Sequence, residues 1–358
     1  MLTTATNHHT SRRPLWLLWG CLLLVTVAEV LTSVVSAQLG LLAHAILLVG
    51  LTLYGAVGKL DENRKLALAL TLAPLIRLLS LSLPLTRFPQ IAWYPIVAVP
   101  LLLATWIVIR LLGVSRQELG LRAGNVPLQL MLIGGGLGLG AIEYSILRPA
   151  PLVADLTPGS LWLPALSLVI FTGFSEELIF RGLLQPVATP ALGRWALIYV
   201  ALLFAVLHIG YLSVFDVVFV FAVGLLFAYI VRWGGSILGV ALAHGLTNIT
   251  LFLILPYLAR HPGAAADIMP WLIIGGSAVA LVAVYMLMLT SIVKRMPVVQ
   301  QAPAPNGLRA LRINAGLAYI DLAERTGMSV RLLAEIEHGM RLAQPEQVQA
   351  IRQAIGVA

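Results

Sequence analysis

Residues 161–181 read LWLPALSLVIFTGFSEELIFR, an apolar run broken only toward its end by Glu176, Glu177 and Arg181. At 1.5 Å per residue a helix of this length is about 30 Å long, the thickness of bilayer hydrocarbon. Within a soluble protein the run would have to be hidden in a core, and the rest of the chain is no more polar. Of the 358 residues, 59% are hydrophobic and 11% charged, with a mean hydropathy of +0.95. Soluble domains carry about 25% charged residues, and surface scaling leaves too much of a globule of this size wet to hide so many apolar side chains. A soluble enzyme, a disordered chain and a disulfide scaffold are excluded. What remains is a polytopic membrane protein. The single cysteine, Cys21, can form neither an internal disulfide nor a Cys-rich zinc site, and inert packing is its expected role.

Runs of comparable length recur at 15–35, 39–58, 66–83, 91–112, 127–147, 161–181, 194–209, 213–231, 235–255 and 268–293, which predicts an all-α bundle of about ten spans. The connections sort by charge. Alternate connections hold Arg12 and Arg13; Lys59, Arg64 and Lys65; Arg110, Arg116 and Arg122; Arg181 and Arg194; Arg232; Lys294 and Arg295. The other set holds only Arg87, Arg148 and Arg260. Thirteen basic residues against three place both termini in the cytoplasm of a bacterial-type membrane. The net charge of +8 has the same origin, since residues 1–305 carry 17 basic and 10 acidic groups and residues 306–358 six and five. Ser11-Arg12-Arg13 before an apolar run, with Val35-Ser36-Ala37 behind it, imitates a cleaved twin-arginine signal. Nine further spans favour residues 15–35 as simply the first of them.

A charge within a span costs about 2.5–3.5 kcal/mol on insertion scales, so each needs a reason. Glu29, His44 and Arg77 fall on the first three spans. A structural ion pair of Glu29 with Arg77 is the expected explanation, and a solute path the sharper alternative. A denser set follows. Glu177 and Arg181, four apart, share a helix face and can pair, which leaves Glu176 about 100° round the helix. The seventh span ends in Phe204-Ala205-Val206-Leu207-His208, and the ninth holds His244-Gly245-Leu246-Thr247-Asn248, whose histidine and asparagine share a face. Either histidine alone would be read as a satisfied core residue. Together these groups describe a polar cavity in hydrocarbon. A carboxylate in apolar surroundings can hold and release a proton near neutral pH, a histidine beside it can share a water, and imidazole and amide donors can stabilise an oxyanion. These are the parts of water-mediated peptide hydrolysis. Zinc on Glu177, His208 and His244 is the minority alternative, unsupported by any His-Glu-x-x-His motif; otherwise no cofactor is expected.

Glu-Glu-x-x-x-Arg, Phe-x-x-x-His and His-x-x-x-Asn, in this order on successive spans between residues 172 and 252, resemble the CAAX-protease and bacteriocin-processing family of intramembrane glutamic endopeptidases. The likeness is expected to extend over about 116–290. It implies that Glu176 activates water with His208, that His244 and Asn248 form the oxyanion site, and that Glu177 and Arg181 hold the motif helix. It also implies a membrane-embedded or membrane-associated peptide or protein substrate, of CAAX type or in bacteriocin and peptide processing. Depth is the difficulty, because with the sixth span ending at Arg181, Glu176 lies near its inner end and His208 near the outer end of the next. The glycine run Gly134-Gly135-Gly136-Leu137-Gly138-Leu139-Gly140 lies mid-span without a preceding strand, so close helix packing is expected rather than phosphate binding.

Beyond Lys294-Arg295, Pro297, Pro303 and Pro305 mark a stiff linker, and residues 307–358 read as a small soluble helical unit. Within Tyr319–Glu337, Ala323 is small where two helices would touch, Gly327 makes the turn, and Ser329 can cap the second helix. Leu322, Leu333 and Ile336 fill the core. With flanking helices near 307–315 and 345–355 the unit resembles the Cro-repressor-like (Xre-type) helix-turn-helix. Arg331 is the candidate DNA contact, but Glu335 and Glu337 share its helix and the unit nets only +1, a poor electrostatic footprint for DNA. A protein partner or dimerisation through the tail is the equal alternative. The expected division is a four-span extension (1–112), a protease core (113–293), a linker (294–306) and the helix-turn-helix domain (307–358). The rival to an endopeptidase is a membrane-tethered regulator that couples the polar cavity to the tail. An immunity factor that needs the site but cleaves no defined host protein is a weaker third.

Overall fold

The computed structural model describes residues 15–260, 271, 274–276, 278, 282, 305–337, 341 and 343–357. The described residues are overwhelmingly helical and include no strand. They divide into two compact units, Met1–Met288 and Leu289–Ala358. In the first unit, eight helical stretches among the described residues are long and apolar enough to cross a membrane, so the chain is an integral membrane protein. They are α1 (Trp16–Val35), α2 (Ala37–Ala56), α3 (Glu62–Ser82), α4 (Gln90–Leu112), α5 (Val126–Leu147), the stretch Pro158–Tyr211, α8 (Val214–Gly234) and α9 (Leu238–Ala259). Pro158–Tyr211 is itself two helices, α6 over residues 158–192 and α7 (Ala196–Val206), joined at Gly193–Trp195. The first nine apolar runs of the sequence coincide with these helices. The tenth, 268–293, lies largely outside the described residues, as do Arg12, Arg13, Lys294 and Arg295.

Two features of this unit position the site. The first is the length of α6, which passes Arg181 and runs eleven residues further to Leu192. The overrun is held by packing rather than by hydropathy, since Leu183, Leu184 and Ala188 are wholly buried and Gln185 donates its amide to the Ala228 carbonyl at 3.0 Å. Gly193, at φ 56° and ψ −126°, then reverses the chain in a conformation that side chains disfavour. Arg181 is therefore not a loop charge, and twelve basic residues rather than thirteen oppose the three on the other side. The second feature is the close approach of α5, α6 and α9. A Cβ at Gly136 or Gly140 would meet the carbonyls of Ala243 or Thr247, and one at Gly173 would lie 2.6 Å from Ala241 O and Gly245 N. The glycine run is a packing surface, as small residues are in membrane bundles.

The four helices before the site are not appended loosely. On α1 the Leu18 carbonyl accepts the Tyr199 hydroxyl of α7 at 3.0 Å, and the Trp19 ring stands edge-on to Tyr199 with centroids 5.4 Å apart.

Among its described residues the second unit has four helices, α10 (Pro305–Asn314), α11 (Tyr319–Thr326), α12 (Val330–Glu337) and α13 (Pro345–Ile355). Leu308, Leu322, Leu333, Ile336 and Ile351 form its core, with Ala323 packed against it. Gly327 takes φ 68° at the turn, and the Ser329 hydroxyl accepts the Leu332 N–H at 3.2 Å as the cap of α12. Glu337 corrects the surface reading of this helix. It is 2% exposed and accepts two bonds from Arg312, at 2.8 and 3.2 Å, and one from the Tyr319 hydroxyl at 2.7 Å. Burial and the Glu337 bond push the Tyr319 phenol above its ordinary range, and Glu337 likewise pushes the Arg312 guanidinium up.

Candidate functional site

The antiparallel hairpin of α6 and α7 resolves the depth problem. Glu176 lies seventeen residues before Gly193 and His208 fifteen after it, so the two rise equally far from the reversal. The Phe180 and Phe204 rings, 4.9 Å apart, mark the same level one turn below. Because α7 stops at Val206, His208 sits in the turn that follows it, at the height of the middle of α6.

Around the two glutamates α6 widens. Its turns over Val169–Phe174 and Leu178–Leu184 are π-helical, with Ser175–Glu177 between them, and such widenings gather at functional sites. The adjacent carboxylates meet opposite environments. Glu177 is sealed, with no exposed side-chain surface, and its Oε1 accepts Arg181 Nη1 at 2.9 Å and His244 Nδ1 at 2.9 Å. Glu176 keeps 30% of its side chain open, and its Oε2 lies 3.8 Å from His244 Nε2, too far for a hydrogen bond. Arg181 also donates to the Gly224 carbonyl at 3.1 Å and lies over the Phe204 ring, 4.4 Å from its centroid. The expected pairing of Glu177 with Arg181 is thus present, and it extends to His244.

The remaining motif residues converge on the same space. His208 Nδ1 lies 2.8 Å from the Phe204 carbonyl. A carbonyl only accepts, so Nδ1 carries a proton, and in the neutral ring Nε2 presents a lone pair. Asn248 donates through Nδ2 to the Thr172 hydroxyl at 2.8 Å, and Thr172 in turn donates to the Leu168 carbonyl. One amide hydrogen of Asn248 is left over. Glu176, His208, His244 and Asn248 all line one cavity of about 650 Å³, together with Tyr94, Glu143 and Thr172. A second, larger space of about 1410 Å³ shares Glu176 and His208 with the first and opens between α3, α4 and α6, where Arg77, Trp93 and Tyr94 form its wall.

Glu143 and Asp216 were not singled out in the sequence. Glu143 is 8% exposed and lines the cavity, and Asp216 is wholly buried with both oxygens lacking a hydrogen bond. Each is the lone charge in a long apolar run, and that signal alone marks an intramembrane ionisable group as functional by default. Thr172 gave no signal, since a threonine in a span ordinarily bonds its own helix.

Among the described residues no group of three or more His, Cys, Asp or Glu is placed to hold a metal ion. Glu177 Oε1 and His244 Nδ1 bond each other, and His208 Nδ1 bonds a carbonyl. The other sequence candidates lie elsewhere. Glu29 Oε1 accepts Arg77 Nε at 2.9 Å and its Oε2 lies 2.7 Å from Nη2 as an ion-pair contact, with His44 Nε2 3.4 Å from Oε1, which is the expected ion pair. Arg331, on α12 of the tail, is exposed and bonded to Glu335 at 2.9 Å.

Two family models match the chain. Residues 158–250 match the Type II CAAX prenyl endopeptidase Rce1-like model, and residues 308–358 match a helix-turn-helix model. Both resemblances drawn from the motifs hold, the first over a shorter stretch than about 116–290. The first match supports an intramembrane protease of the CAAX type and the second a DNA-binding module. No curated protein and no solved structure matches the chain.

Proposed function

We propose that the chain is an intramembrane endopeptidase that hydrolyses a peptide bond with a water activated by Glu176. The observation that carries this reading is the convergence of Glu176, His208, His244 and Asn248 on one cavity, with Glu176 open to it and Glu177 sealed behind it. Charge supports the assignment. An anionic Glu176 and Glu177 with a cationic Arg181 and His244 sum to zero, as a buried cluster in hydrocarbon must nearly do. His208 donates from Nδ1 to the Phe204 carbonyl, and in its neutral form Nε2 accepts from water.

The reaction follows from those states. Water held between Glu176 and His208 Nε2 attacks the scissile carbonyl carbon as its proton passes to Glu176. The oxygen that gains charge is met by His244 Nε2–H and the spare Asn248 amide hydrogen, donors fixed beforehand by Glu177 and Thr172. Collapse of the tetrahedral intermediate breaks the C–N bond, and Glu176 returns its proton to the leaving amine. Both termini lie in the cytoplasm of a bacterial-type membrane, on the charge asymmetry of the connections. The substrate is a membrane-embedded or membrane-associated peptide or protein, of CAAX type or processed as bacteriocin precursors are. The tail, as a dimer or alone, recruits DNA or a protein partner.

The test compares protein termini in membranes from cells expressing the native chain or Glu176→Ala at equal abundance. New termini that vanish with Glu176→Ala establish proteolysis and name substrates. Identical termini, with the variant stably inserted, leave a membrane-tethered regulator as the reading.

A further inference from the structure

Arg77 does more than neutralise Glu29. Its Nε and one Nη hold the buried carboxylate at 2.9 and 2.7 Å, and Nη2 also donates to the carbonyl of Leu207 at 2.8 Å. Leu207 is the residue at which α7 ends and the one before His208. Helix ends leave carbonyls without an intrahelical donor, and a cation there both bonds them and suits the helix dipole. The turn beyond is strained, with Leu212 at φ 55° in the left-handed region that a branched side chain disfavours. Such a conformation persists only where its surroundings fix it. Within the turn His208 is held by its own helix through Phe204 O and by stacking on Tyr211, with centroids 6.1 Å apart. Neither contact anchors the turn to another helix. Arg77 does, and it is itself clamped to α1 by Glu29.

We infer that Arg77 is a positioning residue for His208, and that the Glu29–Arg77 pair on α1 and α3 completes a site whose motif residues all lie on later helices. The inference rests on the reading of Glu176 and His208 given above. It assigns the four-span extension a part in the reaction, that of setting the height and direction of the histidine that shares the attacking water.

The test pairs Glu29→Gln with Arg77→Met, so that no charge is left buried alone, and adds Arg77→Lys as the conservative variant. All are made in the full chain, with and without His208→Ala, and assayed on a fluorogenic S-farnesyl peptide ending in a CAAX sequence. The double variant should lower kcat about 10- to 100-fold, the scale of a misplaced catalytic group, with little change in KM. Arg77→Lys should recover part of the loss, and in the His208→Ala background the double variant should cost less than about twofold. Hydrogen exchange supplies a readout free of activity, with protection lost at residues 207–213 while α1 to α3 keep theirs. An equal loss with and without His208, or unchanged exchange at 207–213, overturns the inference. A native chain inert on the peptide leaves the exchange result to decide. Activity that survives Glu176→Ala instead sinks the reading on which the inference rests.

Discussion

Arg312–Glu337 in the tail and Glu177–Arg181 in the membrane unit are both buried arginine–glutamate pairs, and the two are used differently. In the tail, Arg312 and Glu337 come from helices 25 residues apart and satisfy each other twice, with Tyr319 and the Leu317 carbonyl taking what remains. In the membrane unit, Glu177 and Arg181 are one turn apart on α6 and meet only once. Glu177 Oε2 and Arg181 Nε keep no hydrogen-bond partner, while Oε1 is shared with His244. A saturated pair locks a fold. A pair that leaves capacity unused and spends a bond orienting a histidine holds a reactive group in place at some cost in stability. The tail pair is therefore read as structure and the membrane pair as support for chemistry.

The largest expected effect tests which of the adjacent glutamates reacts. Glu176→Gln should lower kcat by about 10³-fold, within the 10²–10⁴ range of a lost general base, and leave thermal stability in detergent almost unchanged, because Glu176 pairs with nothing closely. A large stability loss with kcat retained would exchange the roles of Glu176 and Glu177.

The two pairs are next compared by truncation. Arg181→Met and Arg312→Met each leave a buried carboxylate without its cation, which typically costs about 3–5 kcal/mol. Thermal unfolding should report both losses. Only Arg181→Met should also abolish hydrolysis, since the carboxylate that orients His244 would lose the guanidinium that fixes it. If Arg312→Met were as damaging to hydrolysis, the division between structural and supporting pairs would fail. A smaller effect is expected at the proposed oxyanion site. Asn248→Ala should reduce kcat about 10²-fold, the low end for one lost donor, at constant KM, and Thr172→Val should follow it at about tenfold. A Thr172→Val effect on KM alone would remove the threonine from that relay.

These contrasts were unevenly legible in the sequence. The spans, the motif trio and the tail's turn at Gly327 were readable because they are local, set by hydropathy or by spacings within one helix. The matched depth of Glu176 and His208 was not. Hydropathy ended the sixth span at Arg181, whereas Glu177, Gly224 O and the Phe204 ring make that arginine an interior residue and let α6 run on to Leu192. Glu143 and Asp216 were hidden by their own neighbours, since one carboxylate scarcely moves the mean of a twenty-residue apolar window. The bond from Arg77 to Leu207 joins residues 130 apart, and no periodicity in a single sequence encodes such a contact.

The smallest effect concerns the exposed pair on α12, the counterpart that the two buried pairs lack. Arg331 is bonded to Glu335, with Arg341 a further 3.7 Å neighbour of the same carboxylate. An exposed pair contributes little to stability, so Glu335→Ala should leave unfolding of the tail unchanged. It should, however, release Arg331 toward phosphate. The Arg331 bond holds the Glu335 carboxyl below the usual carboxylate range, so the pair is intact above the ordinary glutamate value and is lost only as pH falls through that lowered one. Duplex DNA binding by the full chain, read by fluorescence anisotropy in detergent, should therefore strengthen in Glu335→Ala at neutral pH, with its salt dependence steeper by about one counterion. The native chain should approach the variant only in acid. Equal affinity and salt slope for both at neutral pH would mean that Arg331 does not face phosphate, and would turn the tail toward a protein partner.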